Sequence, residues 1–244
     1  MGAVDNCLSA IPDQIMTPPE TTPKLRDPAP LWPWLRFFLI IYIPIILATA
    51  ALNAWFSLMG GADPDYFPTD QVGTLVTLAF VSVSFAAVGI FLICMFLTGR
   101  ITFRMMRNLH QLQSSYAQIS PGWAVGWYFI PFANLVMPQR AVGEIWRGAF
   151  AEVEGAPPKE PEGAIARWWT FWLLGNILDN IGSRLQGTSI LGEQTIVPQE
   201  QLMIGLGLSG VASLCAALAA VFMISLFAKL VRAQSQMVNI SALS

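Results

Sequence analysis

From Val72 to Thr98 the chain carries no charged side chain at all, and this feature most narrows what it can fold into. The hydrocarbon core of a bilayer is about 30 Å thick, and a helix needs roughly 20 apolar residues to cross it. Three further segments approach that description. Leu31 to Met59 is free of charge after Arg36, and Leu202 to Ala228 is uncharged and rich in small residues. Ala164 to Leu185 is weaker, because Asp179 interrupts it. In hydrocarbon each backbone N–H and C=O must find its partner within the protein, so such segments are expected as helices. The expected fold class is an all-α membrane protein: four transmembrane helices, at about 31–59, 72–98, 164–185 and 202–228, plus a re-entrant or interfacial segment at 120–150.

Composition agrees with that class. Only 11% of the 244 residues are charged and 55% are hydrophobic, whereas soluble domains average about 25% charged residues. A net charge of −2 offers no basic excess with which to bind nucleic-acid phosphates. Cys7, Cys94 and Cys215 have no metal-ligand spacing. Two of them lie in apolar runs, where a thiol packs as a small hydrophobe. Neither a metal nor another cofactor is expected, nor a structural disulfide. Residues 1–30 are polar and proline-rich with no apolar signal core, and read as a disordered tail. Residues 31–232 form the membrane domain and 233–244 a short second tail.

A fifth apolar stretch, Pro121 to Val136 (PGWAVGWYFIPFANLV), is short and broken by Pro131. Basic residues concentrate on the cytoplasmic side of membrane proteins, and this bias decides its fate. With four spans, Lys24, Arg26 and Arg36 share one side with Arg100, Arg104, Arg107, Arg140, Arg147, Lys159 and Arg167, and with Lys229 and Arg232. Only Arg184 of the 13 basic residues is left outside, where Asp63, Asp65, Asp70, Glu193 and Glu200 lie. A fifth crossing would divide the cations almost evenly. Both termini are therefore expected in the cytoplasm, and the stretch is expected to dip into the inner leaflet without crossing. The loops GGADPDYFP and QGTSILGEQTIVPQE are too short to hold a domain, and EVEGAPPKEPEG reads as a flexible link.

The region between Arg100 and Arg147 is the richest in side-chain chemistry. Ile101, Met105, Met106, Leu109 and Leu112 share one side of a helical pattern, and Arg100, Arg104, Arg107 and His110 recur on another. That suits an extension of the second helix along the interface, near anionic headgroups. Ser120 can cap a following helix with Pro121 in its first turn. Trp123, Trp127 and Tyr128 have rings suited to headgroup level. Beyond Pro138 a surface helix to about Phe150 puts Arg140, Glu144 and Arg147 on one face and Val142, Ile145 and Ala149 on the opposite one. A solvated helix face is the plainer reading of that ladder. As a site it would present guanidinium groups to a lipid phosphate.

The string SPGWAVGWYFIPFANLVMPQRAVGEIWR, with Trp168–Trp169 followed by Trp172, Asn176 and Ile177, resembles the hallmarks of a bacterial membrane-protein family, domain of unknown function 4328. The resemblance covers roughly Trp34 to Arg232. It departs at Val136 to Gln139, where members often carry a basic residue and then Pro-Tyr. It implies a multi-span bacterial membrane protein, and with the charge bias an inner-membrane one. It implies no activity.

Charges within hydrocarbon are costly and are functional candidates. Asn176, Asp179, Asn180 and Ser183 form one stripe on the third expected span, expected to face the bundle interior, with Arg184 or Asn53 as possible partners of Asp179. Either the stripe is interhelical glue or Asp179 is a proton or substrate site. The literal G-x-G-x-x-G from Gly205 to Gly210 has no preceding strand and is no nucleotide motif. Gly205, Ser209, Ser213 and Ala217 instead make a small-residue face for close helix contact, with another span or a second copy. No catalytic motif is present, and the lone His110 has no carboxylate near it in sequence. The leading expectation is a non-enzymatic component binding membrane lipids or a partner membrane protein through Trp123, Trp127, Arg140, Glu144 and Arg147. A transporter or channel subunit using Asn176, Asp179 and Asn180 is the alternative. A lipid-modifying enzyme with Glu144 or His110 as base is more remote.

Overall fold

The computed structural model describes residues 24–62, 71–155, 162–187 and 197–243, and these are helical almost throughout. Six helices follow in order: α1 Trp32–Ala62, α2 Gln71–Gln111, α3 Pro121–Gly126, α4 Met137–Glu154, α5 Glu162–Leu185 and α6 Gln199–Ser241. Short 3₁₀ turns at Ala29–Leu31, Trp127–Phe129 and Ala133–Leu135 complete the elements. Tail residues 1–23, Cys7, Lys159, and most of the outer loops and of the proline-rich link lie outside the described residues.

Three helices, α1, α2 and α6, are long and apolar enough to cross a membrane. The segment expected as a third span is indeed a helix, α5, but it is not among those three. Arg167, Asp179 and Arg184 together with Asn176 and Asn180 dilute its apolar character. The helices form an open arc in the order α2, α1, α6, α5, in which α1 and α5 pack on either side of α6. At one end α4 lies across the arc, touching α2, α5 and α6.

The α5–α6 contact explains the small residues of both helices. A Cβ on Gly182 would stand 2.8 Å from the Gly205 carbonyl oxygen and 2.7 Å from Ser209 Oγ. One on Gly175 would meet the Ala212 carbonyl at 3.2 Å. These are backbone-to-backbone approaches, which favour association where lipid removes the hydrophobic driving force between helices. Gly205, Ser209, Ser213 and Ala217 are all buried inside the single chain. In this chain the stripe makes an intrachain contact.

At 41 and 43 residues, α2 and α6 are each about 60 Å long at 1.5 Å per residue, roughly twice the thickness of a bilayer core. Their ends beyond Gly99 and Leu226 carry the hydrophobic core onward. Ile101, Met105, Met106 and Leu109 are fully buried there, with Val142, Ile145, Phe227 and Leu230. The apolar side of Ile101–Gln113, expected to rest on the membrane interface, packs instead against protein. Outside lipid, each such side chain contributes about 1.5–3 kcal/mol by leaving water.

The described parts of the two expected tails pack on the helices. α6 runs on to Ser241, burying Ala233, Gln234 and Met237. Residues 24–31 are tied down by Asn108, which is wholly buried and brackets Arg26: its Oδ1 accepts from Arg26 N and its Nδ2 donates to Arg26 O, both at 2.9 Å. The same Nδ2 also donates to Gln234 Oε1 at 3.1 Å. Asp27 Oδ1 accepts from Ala29 N at 2.9 Å and from Ser235 Oγ at 2.8 Å. A buried amide with a partner removed costs about 1–3 kcal/mol, so these bonds outweigh the tail-like composition of residues 24–31.

Replacing Gly182 by Val should lower stability by about 1–3 kcal/mol, because the backbone of α6 cannot yield to the added methyl groups. Denaturant unfolding in detergent micelles measures it, and an unchanged midpoint would contradict the close α5–α6 approach.

Candidate functional site

The chain between α2 and α4 forms a lid. Pro121 starts α3 in the first turn as expected, although the Ser120 side chain makes no cap bond. Pro138 likewise stands in the first turn of α4 and does not interrupt it. Trp123 and Trp127 stack with centroids 4.6 Å apart. The tip beyond them presents Phe129, Ile130, Phe132, Leu135 and Val136 outward, with Phe132 86% exposed. The lid is pinned to α5 by the indole of Trp169, which donates to the Leu135 carbonyl at 2.9 Å. Trp169 stacks in turn on Trp172 at 4.6 Å.

The expected solvated ladder on α4 is overturned. Glu144 is only 2% exposed. Its Oε2 accepts from the backbone N–H groups of Gln118 and Ile119 at 3.1 and 2.9 Å, and Oε1 meets Arg140 Nε at 3.4 Å. Arg140 also donates to Gln118 Oε1 at 3.1 Å. The loop after α2 folds onto α4, so the face read as solvated is covered at Glu144, while Val142, Ile145 and Ala149 are buried on the other side. His110 joins the same lock, its Nε2 2.9 Å from the Ile119 carbonyl oxygen. A carbonyl can only accept, so that nitrogen carries the proton. Glu144 and His110 thus hold the same loop through its backbone. Arg140 keeps half its side chain exposed, and Arg147 is half-buried with its guanidinium over Gly143.

The polar stripe of α5 is also placed differently from expectation. Asn176, Asp179 and Asn180 are exposed and Ser183 is half-buried. The glycine line Gly175–Gly182 takes the α6 contact and leaves the stripe on the flank. Asn176 is satisfied by its own helix, its Nδ2 donating to the Trp172 carbonyl at 2.7 Å. Among the described residues no hydrogen bond or ion pair joins Asp179 to Arg184 or Asn53. Asn53 is buried between α1 and α6, against Gly210.

The stripe borders a cleft that sequence reasoning missed. α2 and α5, the two ends of the arc, do not pack extensively on each other, and a cavity of about 460 Å³ fills the space between them. Tyr42 and Ile46 of α1 line it, with Phe91, Met95 and Thr98 of α2 and Ser213 and Ala216 of α6. α5 contributes Trp168, Trp172, Asn176 and Asp179, and Tyr128, Phe129 and Asn134 of the lid close one end. Along α5 the wall from Trp168 to Asp179 is about 17 Å long at 1.5 Å per residue. Burial pushes the Tyr128 phenol up from its ordinary value, so it stays a neutral hydrogen-bond donor. Its hydroxyl and Asn134 Oδ1 have no protein partner. No single segment carries a signal for this cleft, because it exists only where helices distant in sequence fail to meet. The described residues hold no group of side chains suited to a metal ion.

Among the described residues the chain is all-helical, with three helices long and apolar enough to cross a membrane and an aromatic lid over a cleft. The family model of domain of unknown function 4328 matches residues 69–232, and the chain belongs to that family. The match takes in the lid, α4, α5 and all of the cleft wall except the α1 side. No curated protein matches, and no solved structure does.

Replacing Glu144 by Ala should cost about 1–3 kcal/mol by stranding the buried N–H of Ile119 and the part-buried one of Gln118. Amide hydrogen exchange should show Gln118 and Ile119 losing protection while Leu230 keeps its own. Unchanged exchange at both would mean that Glu144 does not hold the loop.

Proposed function

We propose that the chain is a multi-pass protein of the bacterial inner membrane with four crossings and both termini in the cytoplasm. In this reading it is a non-enzymatic component that holds a membrane amphiphile in the cleft between α2 and α5. The fourth crossing is α5. Its 24 residues reach about 36 Å, and it can carry a polar stripe because its glycines bind it to α6 while the stripe borders a cavity. The lid is the re-entrant element. Its outward Phe129, Phe132 and Val136 suit immersion in the inner leaflet, with Trp123 and Trp127 at headgroup level. Arg140, half-exposed, is available to a lipid phosphate.

The observation that carries the reading is the cleft. Its volume of about 460 Å³ lies within the range of about 300–1,000 Å³ typical of ligand sites. It has apolar walls and a few polar groups, and it lies between two helices that leave a lateral way in from the bilayer. Ala216→Phe should fill it, because Ala216 is half-exposed and lines the wall. Lipid retained on the purified protein, counted by native mass spectrometry, should fall at least about tenfold, the equivalent of 1.4 kcal/mol. Retention at the wild-type level would remove the reading.

Topology has its own test. In a cysteine-free background, Gly163→Cys should react with a membrane-impermeant maleimide only from the cytoplasmic side and Arg184→Cys only from the outer side. Labelling of both from one side would leave α5 without a crossing. A second reading, a transporter or channel subunit, is favoured by Asp179 and Asn176 standing in the cavity wall. Proton-sensitive dye in proteoliposomes should then report a flux that Asp179→Asn abolishes.

A further inference from the structure

Asp179 is the only ionisable carboxylate or basic side chain in the lining of the cleft. It is exposed there, and among the described residues it has no ion-pair partner. A carboxylate at membrane depth costs several kcal/mol unless something offsets its charge. Among the described residues none supplies a cation for it: no lysine, arginine or histidine lines the cavity. What the wall does supply is aromatic surface: Tyr42 and Phe91 on the helices opposite α5, with Trp172 and Trp168 farther along the wall. The π-faces of such rings attract ammonium groups, quaternary ones included. An anionic headgroup would find neither a guanidinium nor an ammonium there, and would be repelled by the carboxylate.

Resting on the cleft reading above, we infer that the occupant is a lipophilic cation, with its ammonium-type group paired to Asp179 and its apolar body lying along the wall toward Tyr128. The roughly 17 Å of wall between Asp179 and Trp168 accepts an extended alkyl chain. The closed end at the lid keeps the tail out of water. Charge therefore selects at one end and apolar contact holds the rest. Asn176 stands one turn from Asp179, and its side-chain oxygen is left to accept from an N–H of a primary amine.

The test uses full-length protein in phosphatidylcholine nanodiscs and two probes. One is dodecyltrimethylammonium carrying bromine at the chain end. The other is the same chain with a neutral tert-butyl group in place of the trimethylammonium head. Bromine quenches tryptophan fluorescence at short range, so saturable quenching reports a chain end lodged beside Trp168 and Trp172. The cation should bind the wild type, and Asp179→Asn should weaken it at least about tenfold, with the weak binding of the neutral probe unchanged. Ala216→Phe should abolish saturable binding of both. If Asp179→Asn leaves cation affinity intact while Ala216→Phe still abolishes binding, the cleft stands and its cation selectivity falls. If Ala216→Phe spares both probes, the cleft reading itself falls. No saturable quenching by the cation in the wild type overturns the inference directly. Ile46→Phe, from the opposite wall, replaces Ala216→Phe if that variant does not fold.

Discussion

The approach of α5 to α6 at backbone distance supports most of what this molecule can do. α5 is the least apolar of the long helices and carries the carboxylate of Asp179. Gly175 and Gly182 let its backbone come against the carbonyls of Ala212 and Gly205. At that separation many atom pairs gain dispersion energy and the polar stripe is turned to the flank. Without those glycines α5 would stand farther out, and the wall that carries Trp168, Trp172 and Asp179 would no longer face Tyr42 and Phe91.

A second set of interactions holds the other end of the cleft. Glu144, His110 and Asn108 are polar groups used to fasten loops and chain ends to a small helical core. Each meets backbone atoms: Glu144 the N–H groups of Gln118 and Ile119, His110 the carbonyl of Ile119, Asn108 the backbone of Arg26. Backbone partners do not rotate away, so such bonds fix position better than side-chain pairs do. The lid is placed by these locks and by the Trp169 bond to Leu135, and its apolar tip is left exposed.

Much of the site was hidden in the sequence for identifiable reasons. The spacing of Arg140, Glu144 and Arg147 correctly put them along one side of a helix, but spacing is silent on what covers that side. A signal was present: two of the four helix neighbours of Glu144, Ala141 and Gly148, are small and uncharged, which leaves room for a segment to close over it. Asn108 and Gln234 offered another. Asn108 sits seven residues from Ile101, and Gln234 sits four from Leu230, so each falls on a buried apolar stripe where an amide needs a partner. The small residues of α6 were legible as a contact surface; whether α5 or a second chain filled it was not.

Sequence alone determined the helices and the membrane-capable character of α1, α2 and α6. Hydrocarbon forces a long uncharged segment to satisfy its own backbone, and only a helix does so locally. It also determined the family, through the Ser-Pro-Gly-Trp string and the Trp168–Trp169 pair. Tertiary structure decided which sides of those helices are covered, and hence that Glu144 is a lock, that Asp179 borders a cleft and that residues 24–31 pack on the helices. Burial depends on which distant segments arrive at a given face. Local pattern sets a side chain's direction about its helix axis, but not what stands opposite.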